Sequence, residues 1–128
     1  MNSTLATIKN VLQTLPDLEL SILVGSQAKK SAKPESDWDI ALRWNKNVDV
    51  LHAHQQTELL KQKISDATHI HKDKIDTIDM TTARLAMRAV IAEEGIVLKG
   101  EDTLAWNHFL TLTWAEMEDY FWRKNHAA

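Results

Sequence analysis

Two aspartates one residue apart, Asp37 and Asp39, begin a segment whose following positions alternate in polarity, and that pairing restricts the backbone able to carry them. In Asp37-Trp38-Asp39-Ile40-Ala41-Leu42-Arg43, the residues Trp38, Ile40 and Leu42 fall on every second position, which is the period of a strand. On a strand, side chains at i and i+2 share a face, so Asp37 and Asp39 project together with Ala41 while the apolar set points into a core. A helix would splay the same pair apart. Two neighbouring carboxylates repel, and without a cation one of them is pushed toward protonation. A divalent metal removes that cost. Magnesium suits the task, because it takes oxygen ligands, keeps several waters and is commonly held by one or two carboxylates plus substrate phosphates.

Ten residues earlier, the apolar run Ser21-Ile22-Leu23-Val24 reads as another strand and stops at Gly25-Ser26. Glycine has no Cβ and tolerates positive φ, so Gly25 suits a sharp turn where backbone must approach a ligand, and the chain has only three glycines to place. Ser26 offers a hydroxyl and an amide to phosphate oxygens, with Lys29, Lys30 and Lys33 in the same loop. A two-metal site, with ions about 3.5 to 4 Å apart, stabilises both attacking and leaving oxygens of a displacement at phosphorus. Such a site wants a third carboxylate. Asp76 in the strand-like run Lys74-Ile75-Asp76-Thr77-Ile78-Asp79-Met80 is the first candidate, and Asp79, on the opposite face, is the second. The combination predicts metal-assisted nucleotidyl transfer, with Asp37, Asp39 and Asp76 on the metals and Gly25, Ser26 and Lys29 on the nucleotide.

The stretch from Gly25 to Leu42 resembles the minimal nucleotidyltransferases (MNT proteins) of the DNA polymerase beta superfamily. Ile75-Asp76-Thr77-Ile78-Asp79 is similar to the strand carrying that family's third aspartate, and Glu94-Gly95-Ile96-Val97-Leu98 to its Glu-Gly-x-x-Leu segment. The likeness spans roughly positions 5 to 100. It implies an α/β (α+β) nucleotidyltransferase fold, a small mixed sheet flanked by helices, in which ATP binds over the sheet, two Mg2+ ions sit on the aspartates and AMP passes to a hydroxyl. Asp76 would complete the site and help deprotonate the acceptor. Members are often encoded beside a HEPN-family ribonuclease toxin and act as antitoxins that adenylylate a toxin tyrosine. Where members often carry arginine after Gly-Ser and Arg-Gly two residues further on, this chain has Gln27, Lys29 and Lys30. Charge is largely kept, but lysine lacks the bidentate fork of arginine.

The remaining features bound this expectation. A chain of 128 residues with 44% hydrophobic content fits one domain, residues 1–128, and zero cysteines exclude a disulfide framework or a thiolate metal site. The N-terminus lacks a basic flank leading into an apolar run, and no apolar stretch is long enough to cross a bilayer, so a cytoplasmic location with no membrane contact is expected. A net charge of -3 argues against direct nucleic-acid binding. Helices are predicted from Ser3 or Thr4 to Thr14, from Asp49 to Thr68, from Thr81 or Thr82 to Glu94, and from Thr103 to Lys124, with Ile96-Val97-Leu98 as a short strand. The Asp49–Thr68 helix has Val50, Ala53, Thr57, Leu60, Ile64 and Ala67 as its inward stripe.

The last helix carries Trp106, Leu110, Trp114, Met117 and Phe121 along one side and further aromatic residues elsewhere. Either it packs over the sheet as core, or part of it stays exposed as a docking surface, since Trp and Tyr are favoured interface anchors. His69 and His71 could face one way if extended, which leaves zinc binding open for that pair. Arg84 and Arg88 share a helix face and are expected to be solvated, the alternative being that one reaches a nucleotide phosphate. No arginine is followed five to seven positions later by histidine, so the ribonuclease motif of HEPN toxins is missing. The reading is a Mg2+-dependent protein adenylyltransferase, the antitoxin of a HEPN/MNT toxin–antitoxin pair. Its rivals are a non-catalytic antitoxin that acts by occlusion and a small-molecule (aminoglycoside-like) nucleotidyltransferase, which would usually need a second domain.

Overall fold

A computed structural model describes residues 3–127. Its elements run α1 (Ser3–Gln13), β1 (Leu18–Val24), α2 (Ser26–Lys29), β2 (Trp38–Trp44), α3 (Val50–Thr68), a 3-10 turn (Lys72–Lys74), β3 (Ile75–Asp79), α4 (Leu85–Glu94), β4 (Ile96–Lys99) and α5 (Leu104–His126). The four strands form one mixed sheet in the order β3-β2-β1-β4. β1 is antiparallel to both β2 and β4, while β2 and β3 are parallel and joined through α3. A parallel pair needs such a crossover, because its second strand must start again from the same end of the sheet.

Strand alternation sorts side chains onto two faces. On one, Leu23, Ile40, Leu42 and Ile75 pack with Ile8 and Leu12 of α1 and Leu60 and Ile64 of α3. On the other, Leu20, Ile22, Val24 and Ala41 pack with Ile91 of α4 and Trp106 and Phe109 of α5. Gly95 ends α4 without positive φ; a Cβ there would strike Ile22 and the carbonyl oxygen of Ile91, so glycine is required for close approach of α4 to β1.

Several sequence expectations are corrected. The loop after Gly25 contains a short helix, α2, closed by Lys30 in the left-handed conformation at φ 59. α4 starts at Leu85 and neither Thr81 nor Thr82 caps it: the Asp79 carboxylate accepts from both the amide and the hydroxyl of Thr81, which locks those residues in a turn. In α3 only Leu60 and Ile64 of the expected stripe are buried, while Val50 is 88% exposed and Ala67 is also exposed. A 19-residue helix is about 28 Å long, and as a crossover it runs back along strands of five and seven residues, about 17 to 23 Å, so its ends overhang. In α5 the inward side is Trp106, Phe109 and Thr113; Trp114 and Phe121 point outward, and Tyr120 and Trp122 are exposed as well. That helix therefore divides between the two alternatives, core in its first half and bare aromatic surface in its second. Arg88 is not solvated, for it pairs with Glu116 across α4 and α5.

Candidate active site

Gly25 closes β1 at φ 77 and ψ -160, a conformation essentially reserved for glycine. A Cβ at this position would run into the carboxylate of Asp39, so the turn and the aspartate touch. The Gly25 carbonyl accepts from the amides of Ala28 and Lys29, which folds the loop back into α2 with Ser26 as its first residue. Further along, Gln27 Nε2 donates to the Ser36 carbonyl at 3.3 Å and ties the start of the loop to the residue before Asp37. Lys29 meets Glu94 at 2.9 Å, an ion pair between the loop and the end of α4. Lys30 and Lys33 are exposed.

Asp39 lies directly opposite Asp76 in the parallel β2–β3 register, and alternation aims both toward the face that carries α4 and α5. Those helices meet the sheet chiefly at β1, and toward the β3 edge of this face Asp39 is half-buried and Asp76 exposed. Asp37 immediately precedes β2, so the ladder does not fix it as it fixes Asp39. Asp39 nevertheless senses the other two: burial, then the charge of Asp76, then that of Asp37 raise its pKa. Among the described residues none of the three carboxylates has a side-chain hydrogen bond or ion pair.

Asp79 points to the opposite face and is spent on the Thr81 turn, so it is no rival to Asp76. Among the described residues no group of three or more His, Cys, Asp or Glu side chains forms a ready metal cage. The arrangement is a register-fixed pair, Asp39 and Asp76, with Asp37 beside it. Such a set fits magnesium better than zinc, since magnesium completes its shell with water and phosphate oxygens. His69 is no ligand partner for His71, because it ends α3 in the left-handed conformation while His71 Nδ1 accepts from the Asp73 amide. Reasoning from sequence missed Gln27 and Glu94 as supports of the loop; the only trace of Glu94 was its place in the Glu-Gly-x-x-Leu segment.

No curated protein matches the chain. Among solved structures it is similar to a chain of a toxin–antitoxin crystallised with AMP-PNP, with TM-score 0.70 and 22% identity over 94% of this chain and 93% of that one. It is also similar to a chain of the toxin–antitoxin MntA-HepT, with TM-score 0.65 and 21% identity over 98% and 94%. A third likeness is to a chain in the complex of tri-AMPylated Shewanella oneidensis HEPN toxin with MNT antitoxin, with TM-score 0.64 and 21% identity over 95% and 91%. These likenesses establish the fold. The family model described as polymerase beta, nucleotidyltransferase, matches residues 6–104, most of the chain and every carboxylate of the site, and the chain belongs to that family.

Proposed function

We propose that the chain is an MNT antitoxin that acts in the cytoplasm and transfers AMP from ATP, with Mg2+, to a tyrosine hydroxyl of a HEPN toxin. The observation that carries this reading is the pairing of Asp39 with Asp76 in one register, against a glycine turn that leaves no room for a Cβ. Membership of the nucleotidyltransferase family supports the reaction type. The structural likeness to chains from toxin–antitoxin complexes, one with AMP-PNP and one with an AMPylated toxin, supports the substrate and the partner.

In this reading Asp37, Asp39 and Asp76 hold the metal, which when bound supplies positive charge to the phosphate oxygens. Gly25 and Ser26 receive the triphosphate through backbone amides and the serine hydroxyl. Lys29 reaches it from an ion pair with Glu94 whose side chains are 56% and 40% exposed, and a pair so exposed, worth about 0 to 1 kcal/mol, yields readily to phosphate. The acceptor oxygen bonds to the α-phosphorus, the bond from that phosphorus to the β-bridging oxygen breaks, and pyrophosphate leaves with the electron pair. Asp76, exposed toward the β3 edge of the face, takes the hydroxyl proton. The bare aromatic side chains at the end of α5, Tyr120, Phe121 and Trp122, are the surface we assign to toxin docking.

Intact-mass measurement of the cognate toxin after incubation with this protein, ATP and Mg2+ tests the reading. Additions of whole AMP groups are expected, lost with Asp37→Asn or Asp39→Asn. A toxin that is neutralised yet unmodified would support occlusion instead.

A further inference from the structure

β3 is an edge strand. Among the described residues only β2 pairs with it. At its ends the backbone is engaged, the Ile75 amide donating to Lys72 and the Asp79 carbonyl accepting from Thr82. Between them Asp76, Thr77 and Ile78 find backbone partners only in β2 among the described residues, so their other edge offers unpaired N–H and C=O groups. The middle of that edge is Asp76 and its neighbours, the part of the sheet where chemistry is placed above.

Against the opposite face of the same strand lies a cavity of about 400 Å³ between β3 and α3. Thr77, Ala53, Thr57 and Val50 line it, and Leu42 and Trp44 also contribute. Trp44 is fixed there by the bond from its indole N–H to Thr57 at 2.9 Å. Val50 stands 88% exposed at its rim, an apolar side chain that the isolated chain leaves uncovered.

We propose that the acceptor is an extended polypeptide segment that adds as a fifth strand along the free edge of β3, placing its hydroxyl side chain on the Asp76 face and an adjacent side chain in the cavity. The inference rests on the reading of the chain as a protein adenylyltransferase and specifies how that substrate is presented. Strand geometry connects the two halves of the observation. An added strand lies about 4.8 Å from β3, and residues opposite one another have Cβ atoms about 4.5 to 5.5 Å apart, so a side chain opposite Asp76 stands beside its carboxylate. The residues before and after it turn to the other face, where the cavity lies. A small-molecule acceptor would have no use for the backbone edge. Main-chain pairing supplies affinity with little demand on sequence, and the cavity selects the flanking residue.

The test uses the full chain and its cognate toxin. Hydrogen exchange in the complex with a non-transferable ATP analogue should slow at least tenfold at one or more amides of Asp76, Thr77 and Ile78, relative to the free chain. Ala53→Trp, which fills the cavity, and Val50→Glu, which charges its exposed rim without touching the core, should each raise KM for the toxin about tenfold with ATP affinity as in wild type. Unchanged β3 exchange together with unchanged KM, in a wild-type protein that transfers AMP to the toxin, would overturn the edge proposal and leave the transferase reading standing. Absence of transfer by the wild type would overturn both. Protection of β3 in the chain alone that grows with its concentration would assign the edge to a second copy and also overturn the proposal.

Discussion

Gly25 holds the site together from a position with no side chain of its own. Any Cβ there meets both a forbidden backbone conformation and the Asp39 carboxylate, so Gly25→Ala should cost about 1 to 3 kcal/mol in urea unfolding and abolish transfer even where the protein remains folded. Asp39 makes the complementary prediction. Its folded pKa is raised, first by burial and then by Asp76 and Asp37, so the folded state binds the proton more tightly than the unfolded chain does. The metal-free protein therefore gains stability as pH falls through that raised pKa toward the ordinary aspartate value, and bears the full penalty at neutral pH. Asp39→Asn should melt above wild type at pH 7 without metal, with the gap closing as the pH is lowered. Addition of Mg2+ and ATP should stabilise the wild type and not the variant, reversing the order.

At the scale of elements, α5 separates into a part that folds the domain and a part that does not. Trp106 and Phe109 stack at 5.5 Å between centroids in the core over β1, and Arg88 of α4 clamps Glu116 from the same side. Beyond Met117 no residue of α5 is buried. Phe109→Ala should thus cost about 3 to 5 kcal/mol, as deletion of a buried aromatic does, while Trp122→Ser should stay within about 0.5 kcal/mol in the same thermal melts. The sequence could not divide the helix this way. Its apolar positions exceed one stripe, and periodicity alone favours Trp106, Leu110 and Trp114 as readily as the observed Trp106, Phe109 and Thr113. The start of α4 was hidden for a different reason. Thr81 has the chemistry of a cap, but Asp79 claims it first. Strands were plainer, because β1, β2 and β3 carry period-2 or continuous apolar runs bounded by glycine and polar turns.

For the whole molecule, alternation placed Asp37 with Asp39 within one strand and set Asp76 apart from Asp79 within another, whereas the shared face of Asp39 and Asp76 comes from the parallel register that the sheet order creates. Which strand would pair with which was not legible, since the parallel register depends on how α3 crosses over and not on any residue in either strand. Nor was the pairing of Lys29 with Glu94, which lies between segments far apart in the chain. The layered design places α1 and α3 behind the sheet, α4 and α5 in front of it against β1, and the acidic pair toward the β3 edge of that front, where Asp76 is exposed. On this account that part of the front is where a nucleotide is split between its α- and β-phosphates. Incubating the protein and its cognate toxin with Mg2+ and ATP labelled at either the α- or the γ-phosphate tests that most directly. The account predicts toxin labelling from the α-label alone, lost in Asp39→Asn, and it is contradicted by labelling from the γ-phosphate or by α-labelling that survives Asp39→Asn.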